Sequence, residues 1–123
     1  MKESYEIIIL LFVHWVADFL LQTKNMAINK SKEVGWLTFH VAVYSLTWFI
    51  LLSFIYGIEK SFIFSAMTFS LHFITDFWTS KWTSKLYRDS KFYGFPSFFS
   101  VIGLDQWLHF AQLILTLDYI KSL

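Results

Sequence analysis

The chain has 123 residues, of which 56% are hydrophobic, 22% aromatic and only 15% charged, and its formal net charge is +1. A soluble domain carries about 25% charged residues, and one this small cannot bury so much apolar surface, so a soluble globule, a disordered chain and a collagen-like chain are excluded. The near-neutral charge gives no indication of nucleic-acid binding, and the absence of cysteine excludes disulfides and thiolate metal sites.

Four apolar stretches follow one another along the chain, at residues 5–22, 36–58, 62–80 and 98–120. Each approaches the roughly 20 residues that a helix needs to cross a bilayer. They are too long for strands and do not alternate, so the pattern predicts an all-α polytopic membrane protein. We expect a single domain over residues 1–123, with four transmembrane helices in a bundle of two helical hairpins and both termini on the same side.

The first stretch resembles the apolar part of a signal peptide, but we expect it to be retained. Its start is not net positive, no small-residue cleavage site follows it, and it holds His14 and Asp18.

Basic residues are unevenly divided between the two ends of the predicted helices. The connections 23–35 and 81–97 lie on one side and hold seven of the ten Lys and Arg residues. The positive-inside rule places this side in the cytoplasm, and the protein in the inner (cytoplasmic) membrane. Lys81, Lys85 and Arg88 are also candidates for holding a lipid or phosphate head group, although setting the topology is a sufficient reason for their presence.

Seven ionisable side chains lie inside the predicted spans, where a central aspartate alone costs about 2.5–3.5 kcal/mol. Such residues are normally tolerated where they face one another, a cavity or a bound ion. The set comprises every histidine of the chain and three of its aspartates: His14, Asp18, His40, His72, Asp76, Asp105 and His109.

The spacing of these residues indicates that they converge. Three histidines have an aspartate four positions away, which places each pair on one face of a helix. The pairs are His14 with Asp18, His72 with Asp76, and Asp105 with His109. The order of the two residue types reverses in the last stretch, which runs in the opposite direction. The reversal is required if residues of the same type are to lie at the same depth in the membrane. The sequence therefore predicts three imidazoles at one depth, and the three carboxylates with His40 at another.

Imidazole and carboxylate are the ligands that zinc, manganese and iron take from proteins, and we expect a divalent ion, zinc first among them. The predicted metal ligands are His14, Asp18, His72, Asp76, Asp105 and His109. They can hold one ion or bridge two, or the histidines can ligate while each aspartate orients an imidazole. His40 and Gln22 are the predicted catalytic residues, with His40 a general acid/base or an outer ligand.

The same residues carry a family resemblance. The segments His14-Trp-Val-Ala-Asp18-Phe-Leu-Leu-Gln22, His72-Phe-Ile-Thr-Asp76 and Asp105-Gln106-Trp-Leu-His109, with His40 between the first two, resemble a family of small bacterial and phage membrane proteins catalogued as domain of unknown function 3307. The pattern is more distantly similar to bacterial membrane-bound metal-dependent hydrolases. The resemblance implies the fold and the site, but it implies no reaction.

Three functions are compatible with this pattern, and whether the chain is an enzyme stays open. The first is metal-dependent hydrolysis of a membrane-associated phosphoester or lipid. The second is transport of protons or divalent cations, for which a homo-oligomer is expected because four helices make a thin pathway. The third is a small interaction protein of a host or phage membrane, in which the polar residues only hydrogen-bond across helices.

Overall fold

The computed structural model describes residues 2–123, and every regular element in this range is helical. The first helix, α1 (Glu3–Trp15), continues directly into a π-helical turn, Val16–Leu20, called the π segment below. The remaining elements are α2 (Lys24–Asn29), α3 (Val34–Tyr56), α4 (Ile58–Arg88) and α5 (Phe98–Lys121). The all-α prediction is confirmed.

The predicted boundaries are close for α3 and α5 and differ for α4. α3 begins and ends two residues before the predicted stretch 36–58, and α5 extends one residue beyond 98–120. α4 is longer than 62–80 at both ends, because hydrophobicity marks only the apolar part of a helix. Gly57, with φ of 88°, ends α3 and lets α4 begin at the next residue.

The short helix α2 was not predicted. It lies within the connection 23–35, and its N-cap residue Thr23 accepts a hydrogen bond from the Met26 backbone N–H at 3.3 Å. Asn25 and other polar residues of this connection mark a turn as readily as a helix, so its sequence carries no periodic signal.

Two helices of the described residues, α3 and α5, are long and apolar enough to cross a membrane, where the sequence predicts four. α1 has only 13 residues, and α4 carries charged residues in its first and last turns. Length and composition thus make α3 and α5 the helices that could cross a membrane, and they do not indicate which side each end would occupy.

The long helices pack around α4, which contacts both α3 and α5, while α1 contacts α5 and the π segment contacts α3. An apolar core fills the end of the molecule near Trp48, Phe64 and Leu117. At that end the Lys121 ammonium donates a hydrogen bond to Glu6 Oε2 at 2.6 Å. The start of α1 and the end of α5 therefore lie at the same end of the molecule, as the sequence predicts.

The start of α5 is defined by a capping box. Ser97 Oγ accepts from the Ser100 backbone N–H at 3.1 Å, and Ser100 Oγ accepts from the Ser97 N–H at 2.9 Å. Ser97 is buried although it lies in a connection. This cap fixes where α5 begins, and thereby which of its residues face α4.

Candidate metal centre

The structure brings together all seven ionisable residues predicted to converge, and it buries six of them while Asp105 is half-buried. α1 carries His14, the π segment carries Asp18, and α3 carries His40. The other residues come from α4 and α5: His72 and Asp76 from the first, Asp105 and His109 from the second.

The three imidazoles predicted to share a depth lie beside one another. The ring of His72 stacks on the ring of His109, with 4.0 Å between their centroids and 12° between their planes. The ring of His14 lies 5.6 Å from that of His109. Polar groups are thus arranged in the interior of the helical assembly and not on its outer surface.

The π segment places Asp18 among these groups. Its wider turn is closed by a hydrogen bond from the Leu21 N–H to the Val16 carbonyl at 3.0 Å, which spans five residues instead of four. A π turn rotates the residues that follow it relative to the preceding α-helix. Asp18 lies at the middle of this turn, and such local departures from the α-helix occur frequently at functional sites.

Four side chains form the first donor group, which can hold a metal ion: Asp18, His40, His72 and Asp76. Nε2 of His40 lies 3.0 Å from Asp18 Oδ1 and 3.3 Å from Asp76 Oδ2. Nε2 of His72 lies 3.5 Å and 3.2 Å from the same two oxygens, and the two nitrogens are 3.4 Å apart. A tetrahedron around zinc with bonds of about 2.0–2.1 Å has edges of about 3.3 Å, so these separations have the size of a tetrahedral zinc shell.

The orientation of the donors agrees with a shared centre. Asp18 Oδ1 has no hydrogen-bond partner among the described residues, although His40 Nε2 is only 3.0 Å away. A hydrogen bond requires the N–H to point at the oxygen, and at this pair it does not. None of the four nitrogen–oxygen contacts in this group is an aligned hydrogen bond, and the one hydrogen bond within it joins the two histidine nitrogens. Two nitrogens and two carboxylate oxygens arranged in this way are a donor set that a cation satisfies.

A second donor group adjoins the first and shares Asp18 with it. Its members are Asp18, Asp105 and His109, whose ligand atoms lie within 4.8 Å of one another. Nε2 of His109 lies 3.2 Å from Asp105 Oδ1 and donates a hydrogen bond to Asp76 Oδ1 at 3.0 Å. The Thr79 hydroxyl donates to Asp105 Oδ1 at 2.6 Å. Asp76 therefore directs one oxygen to each group.

His14 lies outside both donor groups. Its Nε2 lies 2.8 Å from Gln106 Oε1, and its Nδ1 lies 2.6 Å from the Tyr44 hydroxyl. Because the amide oxygen only accepts, Nε2 carries the proton and Nδ1 accepts from Tyr44. Asp18 Oδ2 is 3.6 Å from Nε2. Both ring nitrogens of His14 thus have protein partners.

Lys30 is a member of the site that sequence reasoning missed. It lies in the connection that was interpreted only as a set of topology-determining charges, yet its Nζ lies 3.5 Å from Asp76 Oδ2 and its side chain is only 20% exposed. Burial by itself lowers the pKa of the Lys30 ammonium, but the carboxylates of Asp76, Asp18 and Asp105 outweigh it and raise the pKa above its ordinary value. No spacing rule connects a lysine in the loop after α2 to an aspartate in α4, two helices further along the chain.

Two other partners had a weak signal in the sequence. Tyr44 follows His40 by four positions and Thr79 follows Asp76 by three, so each shares a helical face with a site residue.

A cavity of about 290 Å³ adjoins the donor groups. Gln22 lines it, as do Asp18, Asp76 and Asp105, and Lys30 is the lysine of its wall. Lys81, by contrast, donates to the Ser31 carbonyl at 2.9 Å and so fastens the segment after α2 to α4. The cavity gives small molecules access to the donor groups from the end of the molecule that carries α2.

Comparison with known proteins gives a family without an assigned activity. The model of the family described as Protein of unknown function (DUF3307) matches residues 7–123, a range that includes every residue of both donor groups. No curated protein and no solved structure matches the chain. The more distant similarity to membrane-bound metal-dependent hydrolases is not shown by these comparisons. The chain belongs to the DUF3307 family.

Proposed function

We propose that this protein is an integral membrane hydrolase that uses a divalent ion, zinc, bound by the first donor group. The observation that carries the proposal is the set of five ligand-to-ligand distances of 3.0–3.5 Å among Asp18, His40, His72 and Asp76. Two nitrogens and two oxygens at these separations favour a tetrahedral ion, whereas manganese favours six oxygen-rich ligands. His40 is then a ligand, and Gln22 contacts the substrate from the cavity wall.

The charges of the site support one divalent ion. Three carboxylates, Asp18, Asp76 and Asp105, contribute three negative charges to a buried region, and Lys30 contributes one positive charge. One divalent ion balances the remainder, and a buried region without net charge is favoured in a low-dielectric interior. A second ion in the second donor group, ligated by Asp105 and His109, would give a zinc-to-protein ratio near two instead of one.

We place four helices across the inner membrane: α1 with the π segment, α3, α4 and α5. α1 and α4 are added to α3 and α5 because their outer surfaces are also apolar. Ile8 and Phe12 of α1 are 62% and 59% exposed, and Phe62 and Trp78 of α4 are 65% and 66% exposed. Large apolar side chains along a whole face are unfavourable in water and satisfied in lipid. The connections 23–35 and 81–97 then lie in the cytoplasm.

The chemistry follows from an ion beside a cavity. Zinc held here would supply Lewis-acid chemistry and acidify water for hydrolysis of a membrane-associated phosphate or carboxylate ester. Asp18, His40, His72 and Asp76 would hold the ion, and a substrate would reach it from the cavity that Asp18 and Asp76 both border. His109, whose Nε2 donates to Asp76 Oδ1, would hold this carboxylate in position beside the first donor group.

The test is elemental analysis of protein purified in detergent. Wild-type protein is expected to hold zinc near one per chain, and the Asp76→Asn and His72→Ala variants are expected to hold a small fraction of that amount. Asp118→Asn is the matched control, because Asp118 is exposed and lies outside the site. Phosphodiester hydrolysis by the zinc-loaded protein, measured with a chromogenic diester and lost in Asp76→Asn, would then establish the reaction.

One outcome would contradict the proposal independently of any variant. If wild-type protein holds no metal and chelator leaves its thermal unfolding unchanged, the polar groups serve assembly, as expected of a small interaction protein.

A second function, proton or cation transport, is favoured by a different observation. Several buried polar atoms other than the ligand atoms of the donor groups have no partner among the described residues, namely Ser45 Oγ, Ser65 Oγ, Gln112 Oε1 and His72 Nδ1. Buried polar atoms of this kind are normally satisfied by water, and a file of water next to His72 would carry protons. Proton or zinc flux into liposomes that is abolished in Asp18→Asn would select transport over hydrolysis.

A further inference from the structure

We propose that the cavity beside the first donor group binds a phosphate group, with Lys30 and Ser80 as its anchoring residues. The inference rests on the proposed function and specifies its substrate class, a phosphate ester. Neither residue belongs to the metal-binding groups, and neither was a candidate from sequence. Both line the cavity of about 290 Å³, and they approach it from different elements of the fold.

The first observation is the loose pairing of Lys30. An ammonium has three N–H donors, and charge-assisted hydrogen bonds to carboxylates are normally 2.7–2.9 Å long. The single hydrogen bond of Lys30 Nζ among the described residues is the 3.5 Å contact with Asp76 Oδ2. A largely buried cation with one long contact has donors left for an anion, and the cavity is where such an anion would be placed.

The second observation is independent of charge. Ser80 is only 8% exposed, it lines the cavity, and its Oγ has no hydrogen-bond partner among the described residues. Gln22 Oε1, in the same wall, has none either. A buried hydroxyl without a partner is unfavourable, because it has lost its hydrogen bonds to water without replacing them. A phosphate oxygen in the cavity would accept from Ser80, and the Gln22 amide would pair with a hydroxyl or amine of the group esterified to the phosphate.

The electrostatics make phosphate binding depend on the metal. Without an ion, Asp18, Asp76 and Asp105 repel an anion at this place, and Lys30 is held by Asp76. A divalent ion on Asp18 and Asp76 takes up their two charges and leaves the Lys30 ammonium to face the cavity. The remaining carboxylate, Asp105, already accepts from the Thr79 hydroxyl and the Gln106 amide. The volume suits a phosphate with a small head group, while Phe19 and Phe98 supply apolar wall. The shared chemistry is a phosphate ester, whether free or the head group of a lipid.

The experiment uses the full chain in detergent, loaded with zinc and freed of excess zinc. Inorganic phosphate is titrated by calorimetry, and nanodiscs containing phosphatidic acid or diacylglycerol supply the lipid arm. Zinc-loaded wild type is expected to bind phosphate at least 10-fold more tightly than the zinc-free form. Lys30→Met should keep its zinc and lose at least 10-fold in phosphate affinity, and Lys30→Arg should recover most of it. Lys32→Met is the matched control, because Lys32 is an exposed lysine two positions away.

The outcomes separate the two proposals. If purified wild-type protein holds no zinc, the proposed metal centre is overturned, and this inference is overturned with it. Wild type that holds zinc but binds neither phosphate nor phosphatidic acid overturns the inference alone, as does Lys30→Met with zinc and phosphate affinity unchanged. If the protein binds nanodiscs with phosphatidic acid more tightly than nanodiscs with diacylglycerol, and does not bind inorganic phosphate, the site is assigned to a lipid head group. If Lys30→Met does not fold, Ser80→Ala decides, with an expected loss of several-fold in phosphate affinity.

Discussion

Asp18 and Asp76 each divide their two carboxylate oxygens between different neighbours. Asp76 directs Oδ2 to His40 and His72 and accepts from His109 at Oδ1. Asp18 directs Oδ1 to the same two histidines and Oδ2 to His14. These two carboxylates contact all four imidazoles of the chain. Replacing either aspartate by asparagine therefore removes a negative charge, and it presents amide N–H groups to histidine nitrogens that require an acceptor.

The two histidines outside the His72–His109 stack are expected to differ in their effect on zinc. His40→Ala removes a donor of the tetrahedron, so the zinc-to-protein ratio should fall to a small fraction of wild type. His14→Ala removes a group that hydrogen-bonds to Tyr44 and Gln106, so zinc should remain bound with an affinity about 10–100-fold weaker. Competition with a chromophoric chelator measures both. Equal loss of zinc in the two variants would instead make His14 a ligand, as the spacing of the sequence predicts.

Among the elements, α4 organises the molecule through one polar face. As far as Thr79, its buried polar residues follow one another at intervals of three or four positions, which is the period of an α-helix. They run from Ser61 to Ser80: Ser61, Ser65, Thr68, His72, Asp76, Thr79 and Ser80. Phe64 and Leu86 are buried, whereas Phe62, Ile74 and Trp78 are exposed on the outer face of α4. A helix with a polar inner face and an apolar outer face is suited to lipid, and it explains how one element contributes to both donor groups and to the cavity.

The cap of α5 is expected to stabilise the element that carries Asp105 and His109. Ser97→Ala removes the buried hydroxyl that accepts from the Ser100 N–H, so the free energy of unfolding should fall by about 1 kcal/mol. Thermal unfolding in detergent, followed by circular dichroism, measures the change. Ser70→Ala is the control, because its exposed hydroxyl only bonds back to the Ala66 carbonyl within α4, and its effect should stay within about 0.5 kcal/mol. A control variant as unstable as Ser97→Ala would refute the role of the cap.

At the scale of the whole molecule, the interior is polar at one end and apolar at the other, whereas the outer surface is apolar. Polar groups fill the interior at the end that carries α2, and apolar groups pack at the end where Lys121 meets Glu6. The outer surface is apolar along all the long helices, with Leu46 of α3 and Leu115 of α5 each more than half exposed. Lipid satisfies such a surface, whereas water does not.

The topology can be tested with the chain as it is, because it contains no cysteine. Single variants Lys32→Cys and Lys91→Cys should react with a membrane-impermeant maleimide in inside-out vesicles and not in intact spheroplasts. Lys60→Cys and Ser122→Cys should react in spheroplasts, because these positions lie at the opposite end of the long helices. Labelling of Lys60→Cys from the same side as Lys32→Cys would contradict an α3 that crosses the membrane.

Much of the site could be predicted from the sequence because it depends on local geometry. Aspartates at four positions from His72 and His109 share a helical face with them whatever the tertiary structure, and lipid leaves such residues no place but the interior. The bounds of α3 and α5 follow equally from apolar runs of sufficient length. The family resemblance, carried by the same residues, is confirmed over residues 7–123.

The sequence by itself thus determined the helical class and which ionisable residues meet. Only the tertiary structure decided which of them lie together in one donor group: His40 joins His72, while His14 pairs with Tyr44 and Gln106. It alone brought Lys30 to Asp76. Periodicity specifies the face of a helix on which a residue lies, but the rotation of that helix against its neighbours, and the path of a loop over them, depend on packing between elements far apart in the chain.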